Sequence, residues 1–129
     1  MTFSQWSNGY GGSLTANGDD DGDGISNALE YALSLNPMVR NANAFPAGQL
    51  ITDGGQTYLA ITFRHRPAAD LTTVVETSDN LSSWGTTPSV VMVSNTDHLD
   101  GTFTTTWRNA SPAVGAAKQF LRIHTTVAP

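Results

Sequence analysis

"YLAITFR", Tyr58 to Arg64, alternates Leu59, Ile61 and Phe63 with Tyr58, Ala60, Thr62 and Arg64. A period of two places the first set on one face of a pleated strand and the second on the other, which is the pattern of a half-buried β-strand. Similar runs follow as "LTTVVETS" (71–78), "SVVMVS" (89–94), "GTFTTTWR" (101–108) and "QFLRIHTTV" (119–127). Joints rich in Gly, Pro, Asn and Asp separate them, including "DGG" at 53–55 and "HLDG" at 98–101. Five or six short strands punctuated in this way predict an antiparallel β-sandwich over residues 46–129, and nothing resembles a βαβ unit.

Upstream of the strands, residues 1–45 read as helix, acidic loop, helix and connector. "FSQWSNGY" spaces Phe3, Trp6 and Tyr10 at i, i+3 and i+7, an amphipathic helical spacing, before Gly9, Gly11 and Gly12 break it. "SNALEYALSL" sets Ala28, Leu29, Ala32, Leu33 and Leu35 on one mostly apolar helical face, and Asn36-Pro37 stops it. The expected fold is therefore mainly β, with a short helix, loop and helix packed against the sandwich as one unit.

Between the two helical patterns lies "DDDGDGISNALE", residues 19–30. Counting Asp19 as position 1, carboxylates fall at 1 (Asp19), 3 (Asp21), 5 (Asp23) and 12 (Glu30), with Gly24 at 6 and Asn27 at 9. This is the spacing of a calcium loop, in which alternating oxygen donors surround the ion, a glycine lets the backbone turn and a late Glu closes the shell. The expected ligands are one oxygen each from Asp19, Asp21 and Asp23, the backbone carbonyl of Ile25, a water held by Asn27 and two oxygens from Glu30, about seven in all. Calcium suits them because it accepts many hard oxygens in forgiving geometry, whereas magnesium demands a tight octahedron. Asp20 and Gly22 fall between ligand positions, and Asp20 is expected to face solvent. Position 8 is Ser26, where paired loops carry an apolar residue that bridges to a partner loop, so a lone structural site is expected. A plain acidic turn with a Ser26 or Asn27 helix cap explains the glycines but not the spacing of Glu30.

The charge balance points to the same segment. The chain has 129 residues, no Cys, 13% charged residues and a formal net charge of −5. Five of its eleven acids lie in the loop, and the remaining six balance the six Lys and Arg. Carboxylates this close repel unless a cation or solvent screens them. No basic stripe suggests nucleic acid, and no apolar run approaches the ~18 residues of a membrane span. Met1-Thr2-Phe3 opens without a charged leader or apolar core, so an exported parent chain is expected to carry its signal farther upstream.

Together, "DDDGDGISNALEYALSLNP", "YLAITFRHRP", "TTVVETSDNLSSW", the terminal "QFLRIHTTV" and the Phe3-x-x-Trp6 opening resemble the carboxy-terminal module of large secreted or surface proteins of Verrucomicrobia and Planctomycetes. The loop itself is similar to thrombospondin type-3 and dockerin calcium motifs. The resemblance implies a calcium loop ahead of a β domain at the end of an exported, multi-domain chain, and it implies no enzymatic reaction. Thr77 departs from it, standing where the strand motif often carries an apolar residue.

Candidates for catalysis are sparse. His65, His98 and His124 lie in separate segments, and no "GxSxG", "HExxH" or phosphate-binding glycine loop occurs. "RHR" at 64–66 reads as an alternating strand end before it reads as an anion site. Asp70 and Glu76 would need to come together to act as a glycosidase pair. Trp6, Tyr31, Trp84 and Trp107 could stack on sugars if exposed, but their patterns favour packing. The expected role is a noncatalytic, calcium-binding extracellular or cell-surface module for attachment, display or assembly, partnered by a larger parent protein or by copies of itself. The alternatives are a carbohydrate-binding module, with a polysaccharide partner, and a self-assembling filament or surface-layer subunit.

Overall fold

The computed structural model describes residues 1–12, 14–40, 46, 48–113 and 118–128. The last part of the expected connector, residues 41–45, lies outside the described residues. The protein is mainly β. Among the described residues, six strands, β1 (Gly48–Asp53), β2 (Gln56–His65), β3 (Leu71–Ser78), β4 (Val90–Asp97), β5 (Phe103–Asn109) and β6 (Phe120–Val127), follow two short helices, α1 (Phe3–Asn8) and α2 (Asn27–Ala32). One antiparallel sheet has the order β1-β2-β5-β4, and β3 and β6 form a second antiparallel pair. This arrangement is consistent with the expected sandwich.

The strand ahead of "YLAITFR" is set by its turn. Asp53 pairs with Gln56 across Gly54-Gly55, whose φ angles of 60° and 83° are both in the left-handed region. A two-residue hairpin turn needs that conformation at both positions, and glycine adopts it without a Cβ clash.

Alternation along β2 holds for Ile61 and Phe63. They meet Val75 of β3, Val90 of β4, Ile123 of β6 and Leu33 in one buried cluster, so side chains of both sheets and of the helical segment share a core. Ala60, on the opposite face, is fully buried as well. Arg108 lies directly across from it on β5 and runs over that face, its guanidinium 3.9 Å from the Tyr58 ring centre and its Nε 3.0 Å from Asp53. Edge strand β4 is exposed from Val91 to Asp97, and its pairing with β5 slips between Met92 and Ser94. Such a bulge twists an edge away from regular pairing with another chain.

Both helices are shorter than their periodicity suggests. In α1, Thr2 and Gln5 form a reciprocal capping box, and the helix stops at Asn8, leaving Tyr10 in the following turn. Tyr10 nonetheless packs on Trp6, with ring centres 5.4 Å apart. In α2, Ser26 caps Leu29 N–H, but the helix ends at Ala32 and not at Asn36-Pro37. Ser34 takes φ 60° and Leu35 N–H donates to Glu30 O at 2.8 Å, closing the end with a left-handed residue. Leu33 and Leu35, freed from the helix, turn onto the β core.

Tyr31 joins the helical segment to the strands. It is fully buried against Phe3 and Trp6, with ring centres 5.5 and 5.2 Å away. Its hydroxyl donates to Met1 O at 2.9 Å and approaches Asp70 Oδ1 at 3.3 Å, while the other Asp70 oxygen accepts from Phe3 N–H at 2.7 Å. Burial, reinforced by the Asp70 charge, raises the phenol to about 12. Just past the end of β2, Arg66 Nε donates to Tyr31 O at 2.6 Å and Arg66 N–H to Ala32 O at 2.8 Å. Tyr31→Phe keeps the ring but removes the hydroxyl bonded to both Met1 and Asp70. It should lower the free energy of unfolding in urea by about 1–2 kcal/mol; an unchanged midpoint would show that the hydroxyl contributes nothing.

Candidate metal centre

The acidic loop is organised by its own backbone. Asp19 Oδ2 accepts from Gly24 N–H at 2.9 Å and Asp23 Oδ1 from Ile25 N–H at 2.9 Å, while Asp23 N–H lies 3.3 Å from oxygens of both Asp19 and Asp21. Gly24 turns at φ 87°, at the position where the loop pattern calls for glycine. The ends are tied by Asn27 N–H to Gly18 O at 2.8 Å and Ala28 N–H to Ala16 O at 2.9 Å. Ile25, whose side chain is buried, anchors the loop to the protein interior. The incoming helix does not abut this loop, since residues 9–18 intervene between α1 and Asp19; the outgoing α2 begins within it.

Asp19, Asp21, Asp23 and Glu30 each bring an oxygen to within 4.8 Å of the others, a cluster of a size that could hold a metal ion. Glu30 is fully buried, and among the described residues neither of its carboxylate oxygens has a hydrogen-bond partner; Asp21 Oδ2 is buried and without a partner there too. Burial first, then the charges of Asp21, Asp23, Asp19 and Asp20, push the Glu30 carboxyl up to about 8. Burial and its carboxylate neighbours also raise Asp21. An ionised carboxylate without donors is costly in a protein interior, and a cation placed among these oxygens removes both the desolvation and the repulsion. The donor set is all hard oxygen, which suits calcium, magnesium or manganese and not a soft metal.

The other two positions of the expected ligand set behave differently. The Asn27 side chain is fully buried and its Nδ2 donates to Thr15 O and to Asp20 Oδ1, both at 2.9 Å, so it braces the loop, while its Oδ1 is buried without a partner. Asp20 is exposed, as its position between ligands predicts, but it is held by Asn27. For Ile25 the role in question is that of its main-chain carbonyl.

The remaining chemistry-bearing residues are occupied elsewhere. Asp70 serves Phe3 and Tyr31, whereas Glu76 pairs with Arg122 at 2.8 Å and lies 3.7 Å from His124. Most of a strand, roughly 17–20 Å, separates the two acids, too far for a glycosidase pair. In "RHR", Arg64 points out to Asp100 at 2.6 Å and Arg66 holds α2, so the alternating strand end describes it. Trp6 and Tyr31 are buried, and the face of Trp84 is covered by the Arg122 guanidinium at 3.9 Å. No helix among the described residues is long and apolar enough to cross a membrane. Comparison with known protein families, with curated proteins and with solved structures found no match to this chain.

The raised Glu30 pKa has a definite sign in the metal-free protein. Between its ordinary 4.5 and about 8, the folded chain holds a proton that the unfolded chain has released. Stability is therefore fully present below pH 4.5 and lost as pH rises through 8. In chelator, the free energy of unfolding should fall across that window, and Glu30→Gln should flatten the slope. A wild-type slope that rises over the same range would mean that Glu30 is ionised and paired in the fold.

Proposed function

We propose that this chain is a noncatalytic calcium-binding module of an exported protein, with a helix, calcium loop and second helix docked on an antiparallel β-sandwich. The observation that carries this reading is Glu30, fully buried with both oxygens unpartnered beside three further carboxylates. In the full shell, Asp19, Asp21 and Asp23 give one oxygen each, Glu30 gives two, the Ile25 carbonyl gives one, and a water beside Asn27 completes it. Calcium is favoured over magnesium because the late Glu offers two oxygens at once, which a large ion with seven ligands accommodates. A single unpaired loop of this kind suits the high calcium outside cells better than cytosolic sensing, which supports an extracellular or cell-surface location.

The ion's role is structural. Glu30 sits in α2 next to Tyr31, through which Arg66 and Asp70 hold the helical segment to the strands. Attachment, display or assembly is then exerted through the protein surface, towards a larger parent chain or further copies. The bulged edge strand leaves Val91, Met92 and Val93 37%, 46% and 41% exposed, apolar side chains suited to side-chain contact with a parent chain or further copies rather than to continued strand pairing. The aromatic side chains offered for sugar stacking are buried or covered, apart from Trp107, which lines a cavity between the sheets.

Calcium at a hundredfold excess over its dissociation constant should stabilise the fold by about 2.7 kcal/mol, raising Tm by roughly 10 °C. Equal melting in calcium and in chelator would sink the reading. Light scattering in calcium, beside a glycan array on the same sample, separates assembly from sugar binding: a monomer that captures a defined glycan would favour the latter.

The ligand register is tested by substitution. Asp23→Ala and Glu30→Ala should each abolish tight calcium binding in a calorimetric titration. Asp20→Ala, which loosens only the Asn27 brace, should weaken it less than about tenfold. Loss of binding on Asp20→Ala equal to that on Glu30→Ala would place the ligands in another register.

A further inference from the structure

The two sheets are unequal, and the inner face of the larger one is only partly covered. Next to the core cluster this leaves a cavity of about 330 Å³ between β2, β3, β4 and β5. A cavity of about 150 Å³ accommodates benzene, and ligand pockets begin near 300 Å³, so the space suits one or two rings. Its apolar walls include Phe63, Phe103, Trp107 and Val75, with half-exposed Met92 at the rim. No Asp, Glu, Lys or Arg lines it.

Thr73 on β3 adds a buried hydroxyl without a partner among the described residues, and across another wall runs a polar rung. His65 Nε2 lies 2.8 Å from Thr105 Oγ1, and Thr105 Oγ1 donates to Asn95 Oδ1 at 2.8 Å. Because the Thr105 proton goes to Asn95, the His65 Nε2–H must be the donor in the other bond. Burial lowers the His65 pKa, keeping the imidazole neutral. The His65 ring is held between Phe63 and Phe103, with centroids 5.5 and 6.1 Å away. Asn95 is thus oriented through its oxygen, and its Nδ2 donors have no partner among the described residues. An oriented amide and the Thr73 hydroxyl, in a mainly apolar cavity whose described lining is uncharged, select a ligand with one polar group and no charge.

We propose that the inter-sheet cavity is a binding site for a small neutral aromatic molecule carrying one hydroxyl, its ring against Phe103 and Trp107 and its oxygen accepting from Asn95 Nδ2. Neither charged ligands nor free sugars fit this description, since the first lack a counter-charge and the second carry more hydroxyls than one rung can satisfy. The site stands apart from the acidic loop and does not depend on the calcium reading.

The probes are 4-ethylphenol and ethylbenzene, titrated into the isotopically labelled protein in calcium buffer and followed by heteronuclear NMR. 4-Ethylphenol should shift Phe103, Thr105 and Trp107 saturably and bind about fivefold or more tightly than ethylbenzene, the margin of one hydrogen bond. Asn95→Val, an exposed strand position, should erase that preference, and Met92→Lys at the rim should weaken both probes about tenfold or more by placing a charge over the mouth. The proposal is overturned by the absence of saturable shifts at the cavity, by equal affinity for the two probes, or by unchanged binding in Met92→Lys.

Discussion

The constraint on which the amino-terminal third depends is a carboxylate that the fold has taken out of water without giving it donors. Glu30 is fully buried and both of its oxygens lack partners, with the Asp19, Asp21 and Asp23 oxygens gathered beside it. In the absence of a cation, the fold can tolerate it by holding a proton, which is the meaning of a pKa near 8. In the presence of one, the same oxygens would serve as ligands, and the burial that was unfavourable would make a dry, rigid site. The local backbone is built for this state, since the loop amides of Gly24 and Ile25 hold the aspartates in place and the Asn27 amide closes the loop onto Thr15 and Asp20.

What happens at Glu30 reaches the strands through the next residue. Tyr31 packs into Phe3 and Trp6, its hydroxyl joins Met1 and Asp70, and its carbonyl accepts from Arg66. Two residues farther on, Leu33 enters the cluster shared by β2, β3, β4 and β6. The loop, the aromatic layer and the β core thus meet within one turn of α2. A cation among the carboxylates would fix the start of that turn, and the hydrophobic contacts fix its end.

Five of the strands were legible because their signal is local: "YLAITFR" alternates, and the runs end in turn residues, whereas β1 showed no run of its own and was marked only by the turn glycines that follow it. The carboxylate cluster was legible for the same reason, because twelve consecutive residues hold the spacing and the turn glycine. The helix ends were less so. Periodicity through Leu35 reflects packing of Leu33 and Leu35 onto the core, not helical backbone, and a serine at φ 60° carries none of the sequence signal that glycine gives. Asp70 and Arg66 were unreadable as the clamp on Tyr31, since they reach it across 39 and 35 residues of chain. The same holds for the His65, Thr105 and Asn95 rung: Phe103, Thr105 and Trp107 plainly share a strand face, but only the sheet pairing brings His65 to them.

On the proposed reading, an ion among the carboxylates would lock the helical segment to the strands and make the surface rigid wherever calcium is abundant. The direct test of this coupling is amide hydrogen exchange, with and without calcium, at Leu33 and Arg66, whose N–H groups bond to Leu29 O and Ala32 O. Calcium should slow exchange at both by at least about tenfold, since opening α2 would then require release of the ion. Exchange at Leu33 and Arg66 that is the same in calcium and in chelator would contradict the account, for the ion would then have no hold on the contact between α2 and the β core.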